Sequence, residues 1–182
     1  TGAEANNVGV GSSALLAVTT GSGNVAIGKE SLSNNTDGDS NIAIGLAALE
    51  SNIGTDSNTA IGYASGQNTT GASNTYLGYF AGKGAAVADA NNVGVGANTL
   101  LAITTGTSNV ILGHNSGQAL TTGERNVAGG KDSLYYGSTE TDDNVAIGYN
   151  AMAGNFSTAV VNDCIAIGSY ALDGTLTATA SG

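Results

Sequence analysis

Residues 41–49 read NIAIGLAAL, and the first five letters of this stretch recur along the chain. NVAIG stands at 24–28 and 144–148, NTAIG at 58–62 and CIAIG at 164–168. Aligned on the final glycine, ten such phrases span the 182 residues at spacings of 16 to 20, most often 17. A fixed period of this length indicates a stacked repeat architecture, in which each repeat packs only on its neighbours.

The five-letter phrase has the period-two pattern of a β-strand. Its second residue is β-branched in every copy, and its fourth is aliphatic in nine, with Gly129 as the exception. Alternate side chains of a strand lie on opposite faces, so these two positions form a Val/Ile-rich face. The other face carries Asn, Ala and Gly, interrupted at the third position by Tyr76 and Ile111. We expect these small residues to let another layer of backbone come close.

Asparagine occupies the first position of the phrase in nine of the ten copies, and Cys164 replaces it in the last. Stacked repeats place like residues over like, which predicts a ladder of side-chain amides that hydrogen-bond from coil to coil. Cys164 is interpreted as a small packed hydrophobe, with an intermolecular disulfide as the alternative. The predicted structural ladder consists of Asn7, Asn24, Asn41, Asn58, Asn74, Asn92, Asn109, Asn126 and Asn144.

The repeat predicts an all-β fold, a parallel β-solenoid of about ten 17-residue coils. Each coil is expected to hold a strand, a turn and a return. A second short extended segment is expected near the position four residues after the glycine, where Leu, Met or Gly stands. Coils that stack about 4.8 Å apart form a rod roughly 50 Å long. A single coil cannot bury its apolar strip, so we expect stacking to bury it.

A longer period lies over the shorter one. Residues 6–32 match residues 91–117 at 16 of 27 positions, at an offset of 85 residues. The chain is therefore interpreted as a single repeat domain, 1–182, made of two five-coil blocks at about 6–90 and 91–172. Such repetition makes length and is an awkward way to build one unique catalytic pocket, so we predict that the chain is not an enzyme.

The pattern NxAIGxxAL closely resembles the head-domain repeats of trimeric autotransporter adhesins of the Yersinia-adhesin type. It is also similar to repeat arrays in bacteriophage tail fibres. Residues 41–49, 58–66 and 144–152 carry the likeness most clearly, and its register covers about nine-tenths of the chain. The resemblance implies a left-handed parallel β-roll with three identical chains around one axis. It also implies an adhesive role in an extracellular, cell-surface or virion fibre, with attachment to a host glycan or protein.

The residues favour an oligomer independently of the resemblance. Both faces of the phrase are apolar or small, and a thin solenoid cannot cover both of them. A long apolar patch left in water usually marks an interface, and a homotrimer would bury it once per coil. A monomeric solenoid and a filament whose subunits stack end to end remain alternatives.

Composition argues against several other functions. The net charge is −10 with only four Lys and Arg residues, which disfavours nucleic acids and anionic membranes as partners. No apolar run approaches the 18 residues of a membrane span, so no insertion is expected. An ice-binding face predicts a regular Thr ladder, but Thr stands at the second position only at Thr59 and Thr75. A polysaccharide-cleaving solenoid needs clustered carboxylates, whereas most of the 14 acids lie in scattered loops.

Candidate sites for cofactors and metals are weak, and none is predicted. GVGSSA at 9–14 partly matches a dinucleotide fingerprint but belongs to the repeat. His114 stands at a variable, outward position just after a repeat glycine. The aspartates at 37–39 and 142–143 could contribute oxygen ligands to calcium, but solvated turns are the preferred interpretation.

Aromatic residues recur beside the repeat glycines. On a solenoid they would cluster on one edge, where rings can stack against sugars or anchor protein contacts. Packing between coils is the preferred interpretation, and a binding stripe is the alternative. The possible binding stripe consists of Tyr63, Tyr79, Phe80, Tyr149 and Tyr170.

Overall fold

The computed structural model describes residues 6–84, 89–136, 141–155, 160–174 and 180–181. These residues are all-β, with no helix among them. Nine consecutive parallel pairings join ten short strands into one sheet, which makes a parallel β-solenoid of about nine turns. The strands are β1 (Val8–Val10), β2 (Val25–Ile27), β3 (Ile42–Ile44), β4 (Thr59–Ile61), β5 (Thr75–Leu77), β6 (Val93–Val95), β7 (Val110–Leu112), β8 (Val127–Gly129), β10 (Val145–Ile147) and β12 (Ile165–Ile167).

The register repeats without slippage along the sheet. Ala26 of β2 pairs with Ala43 of β3, and Ala43 pairs with Ala60 of β4, so equivalent letters of the phrase stack on one another. The spacing of 16 between the fourth and fifth phrases is absorbed in the turns, because Ala60 still pairs with Tyr76. The predicted strands and their stacking are therefore confirmed.

Left-handed backbone closes each coil after the repeat glycine. The residues two and four positions beyond that glycine have φ between 47° and 61° in every coil, and most of them are not glycine. Leu32 is one example, with φ 47°, and its N–H donates to the Ala48 carbonyl of the next coil at 3.0 Å. Residues with positive φ cannot continue a strand, so they turn the chain while the coils keep stacking.

The second extended segment lies elsewhere than predicted. Near the Leu position the chain is a turn, because of the two left-handed residues. The extra strands are instead β9 (Thr141–Asp142), β11 (Val161–Asn162) and β13 (Ala180–Ser181), and they pair in the order β13–β11–β9. The first two lie just before the first residue of the next phrase, at 144 and 164. An isolated parallel bridge between Ala90 and Thr107 marks the same place in earlier coils.

The small face of the phrase forms the core, and the Val/Ile face lies outside. Ala26, Ala43 and Ala60 are fully buried, together with Leu32 and Leu49 from the turn. The expectation that stacking buries the apolar Val/Ile strip is therefore wrong. The chain turns back over the alanines, and the leucine four residues after the glycine fills the narrow space beside them.

Large and small residues compensate one another inside the coils. Tyr76 and Ile111 replace alanine in the core, and each meets a glycine where most other coils carry leucine. A Cβ added at Gly82 would lie 2.4 Å from the Tyr76 ring, and one at Gly66 would lie 3.2 Å from it. A Cβ at Gly117 would lie 3.3 Å from Ile111 Cγ2. A large residue at the third position of the phrase is therefore matched by a glycine four residues after the repeat glycine, and the filled core volume stays nearly constant.

Candidate interaction surface

The asparagines at the first position of the phrase join successive coils, and all of them except the half-buried Asn7 are buried. The side-chain oxygen of Asn41 accepts the backbone N–H of Asn58 at 2.9 Å, and Asn58 accepts that of Asn74 at 2.9 Å. The amide nitrogen of Asn58 donates to the Gly71 carbonyl at 2.9 Å, inside the turn of the next coil. The same contact repeats along the stack. It begins where Asn7 accepts the N–H of Asn24 and ends where Asn144 accepts the N–H of Cys164. Each side chain thus bonds the backbone at both ends of a turn.

The Val/Ile face is an uncovered apolar surface. Val10 is 56% exposed, Leu112 45% and Ile165 74%, and the second and fourth positions of the other strands are half-buried or exposed. Nine spacings of about 4.8 Å make this face about 43 Å long. None of these positions carries a charged residue. An apolar patch of this extent is among the largest that monomeric proteins expose, and such patches often serve an interaction.

The aromatic residues form two separate groups instead of one continuous stripe. Tyr63 and Tyr79 stack with ring centroids 5.4 Å apart, and Phe80 lies 4.1 Å from Tyr79, with Lys83 above its ring. Tyr149 and Tyr170 meet edge to face at 5.2 Å. Between the two groups the position after the repeat glycine holds Ala97, His114 and Lys131.

A shallow pocket of about 300 Å³ opens near the second aromatic group. Two adjacent tyrosines, Tyr135 and Tyr136, form one wall, with ring centroids 4.5 Å apart and planes at 81°. Sequence reasoning missed both of them because they stand five and six residues after a repeat glycine, outside the phrase. Their signal was the contrast with other coils, none of which holds an aromatic residue there. The pocket is lined by Asn115, Asp132, Tyr135, Tyr136, Asn150 and Ala153.

A buried acid lies beside the core tyrosine. The Tyr76 hydroxyl donates to Asp89 Oδ2, while Asp89 Oδ1 is buried and has no hydrogen-bond partner among the described residues. Burial raises the pKa of Asp89 to about 6, in spite of the bond from Tyr76. Burial, and then the charge of Asp89, raises the pKa of the Tyr76 hydroxyl well above its usual value. Sequence reasoning treated this aspartate as one of the scattered loop acids.

This acid predicts a loss of stability as the pH rises. The pKa of Asp89 is higher in the folded chain than in the unfolded one, so protonation favours folding and the benefit disappears through pH 6. We expect the free energy of unfolding to fall by on the order of 3 kcal/mol between about pH 4 and pH 7. Urea titrations across that range measure it. Asp89→Asn should remove this part of the pH dependence, whereas Asp163→Asn, at an exposed carboxylate, should leave it. Equal pH profiles for wild type and Asp89→Asn would contradict the assignment.

The remaining candidate residues either make contacts that stabilise the fold or lie exposed. Asp39 accepts the backbone N–H of Ser22 at 2.7 Å, and Asp142 accepts that of Glu124 at 2.8 Å. His114 is exposed. Cys164 is buried, and its thiol lies 3.3 Å from the Asn162 carbonyl. In the described ranges no three His, Cys, Asp or Glu side chains gather as a metal site would require.

Within the described residues, no helix is long and apolar enough to span a bilayer.

Comparisons with protein-family models, with curated proteins and with solved structures found no match to this chain.

Proposed function

We propose that the chain is a structural and adhesive module of a fibre, in which three copies associate through their Val/Ile faces. The observation that carries this proposal is the uncovered apolar sheet face. With a length of about 43 Å and a width of about 10 Å, its area is on the order of 400 Å² per chain. That size matches the largest patches on ordinary monomers, which often serve an interaction.

Identical chains are the best occupant of this face. The chain carries a net charge of −10, which opposes self-association in general, but the face itself has no charge. The side chains at the second and fourth positions stack in two columns with one spacing along the whole sheet. A second copy of the chain presents side chains at the same spacing. Closed rotational symmetry then gives a discrete assembly. The likeness to trimeric adhesin heads and phage-fibre repeats favours three chains, a left-handed β-roll and a place outside the cell or on a virion.

We assign attachment to the surfaces that stay exposed when the trimer forms. Aromatic groups and polar turns lie outside the Val/Ile face, and they differ from coil to coil. A rigid rod with variable side chains is suited to contact a host glycan or protein rather than to catalyse a reaction.

Light scattering tests the assembly. We expect a mass three times that of the 17.6 kDa chain at micromolar concentration. Placing Glu on the face in the double variant Ile27→Glu/Val127→Glu should reduce the mass to that of one chain, because it would bury six like charges. Ile53→Glu is the matched control, since Ile53 is exposed in a turn away from the face.

The alternatives give different results in the same measurement. Open-ended polymers in place of a discrete mass would support the filament, and a monomeric wild type would overturn the trimer. A monomer that also lowers the freezing point of the solution would favour the ice-binding solenoid. Labelled wild-type chain should bind to at least one surface in a panel of bacterial and mammalian cells, and binding to none of them would count against attachment.

A further inference from the structure

The pocket at Tyr135 and Tyr136 arises where neighbouring coils differ in size. The coil of β8 places the two tyrosines at the fifth and sixth positions after its glycine, and the coil of β10 places Ala153 and Gly154 there. The smaller residues leave the rings uncovered on that side. Tyr136 is 49% exposed, and neither tyrosine hydroxyl has a hydrogen-bond partner among the described residues.

Polar groups converge on the same pocket. Asn115 donates its amide N–H to Asp132 Oδ1 at 3.1 Å, which fixes the carboxylate at the pocket wall. The side-chain amide of Asn150 has no protein partner within the described part of the chain, so it can bond a ligand. One flat apolar wall with a few fixed donors and acceptors is the usual composition of a small-molecule site.

Charge selects the class of ligand. Lys131 already forms an ion pair with Asp132, so the carboxylate does not need a second cation. The net charge of −10 disfavours anionic ligands. A neutral molecule with several hydroxyls and one apolar face satisfies the ring, the carboxylate and the amide together.

We propose that this pocket binds a neutral pyranose of a surface glycan. The apolar face of the sugar packs on the Tyr136 ring, and its hydroxyls donate to Asp132 and bond the Asn150 amide. The pocket residues lie outside the Val/Ile face, so the site stays open in a trimer joined through that face. The inference rests on the proposed attachment function and assigns its ligand class.

Saturation-transfer NMR tests the pocket on the whole chain. The probes are glucose, galactose, mannose and N-acetylglucosamine, with tetramethylammonium and N-acetylneuraminic acid as charged comparisons. We expect at least one neutral sugar to bind with a Kd of about 1 mM. Tyr136→Ala and Asn150→Gly should each weaken that binding about tenfold or more. Glycine is chosen because Asn150 has φ 53°. Leu16→Ala is the control, because Leu16 is an exposed apolar residue in the coil of β1, outside both aromatic groups.

The outcomes separate this site from the general function. The proposal is overturned if no neutral sugar binds, if only a charged probe binds, or if Tyr136→Ala binds as wild type does. Should Tyr136→Ala lose the sugar, the site stands. A third result would separate the two proposals. If no neutral sugar binds the wild-type chain, but the labelled Tyr136→Ala chain still attaches to cells, the glycan pocket is wrong and the attachment function stands.

Discussion

Gly82→Ala is expected to lower the free energy of unfolding by about 3 kcal/mol or more, because it forces a methyl group into the Tyr76 ring. The added Cβ would lie 2.4 Å from three ring atoms. The ring cannot move away, since it is fully buried and its hydroxyl bonds Asp89. Urea denaturation followed by circular dichroism measures the loss.

Gly117→Ala is the matched control for this clash. Gly117 has φ 58°, almost the same as the 57° of Gly82, so both variants carry the same backbone strain. The Cβ at 117 would lie 3.3 Å from its nearest neighbour, which small shifts can relieve. We expect Gly117→Ala to cost about 1 kcal/mol. Equal costs at the two positions would mean that the ring clash is relieved in solution.

A double variant tests whether core volume is the cause. Tyr76→Ala alone should cost about 3–5 kcal/mol through the cavity it leaves. Tyr76→Ala/Gly82→Leu restores the Ala and Leu pair of the other coils. We expect it to be at least about 2 kcal/mol more stable than the sum of the single changes predicts. Additive costs would show that the two positions do not share one space.

Asn58→Ala is expected to cost about 3–5 kcal/mol, because it removes three hydrogen bonds of a fully buried amide. The change leaves the N–H of Asn74 and the carbonyl of Gly71 without partners inside the stack. Buried polar groups without partners are costly because water cannot replace the lost bond. The free energy of unfolding from urea titration checks the value.

Asn34→Ala is the control for the ladder. Asn34 is an exposed asparagine in a turn, so its loss should change stability by less than about 0.5 kcal/mol. Asn58→Asp adds a second check, since it keeps an oxygen acceptor and loses the donor. Its penalty should grow as the pH rises and the buried acid ionises. The ladder has no energetic role if Asn58→Ala and Asn34→Ala are equally stable.

Repeat spacing was sufficient to predict the strands and their stacking. The phrase at 41–45 alternates in character at every residue, and a strand is the element with that period. Stacking could also be predicted, because ten repeats of nearly equal length can form coils that lie at one strand spacing from each other. The asparagine column could be located in the same way, since like residues lie over like.

The pocket and the buried acid could not be predicted from the phrase. Tyr135 and Tyr136 matter because Ala153, in the next coil, leaves them uncovered. Asp89 matters because the turn carries it to the Tyr76 hydroxyl, 13 residues back along the chain. Both depend on contacts between positions that the repeat pattern does not relate.

The sequence by itself determined the period, the parallel sheet and the two chemically distinct faces of each strand. The tertiary structure alone decided which face is inside. An alternating strand presents two faces, and burial depends on the direction in which the chain turns after it. Left-handed residues two and four positions beyond each glycine turn the chain over the alanines, and leucine fills the space. The Val/Ile columns are thereby left on the outer surface, available to a partner.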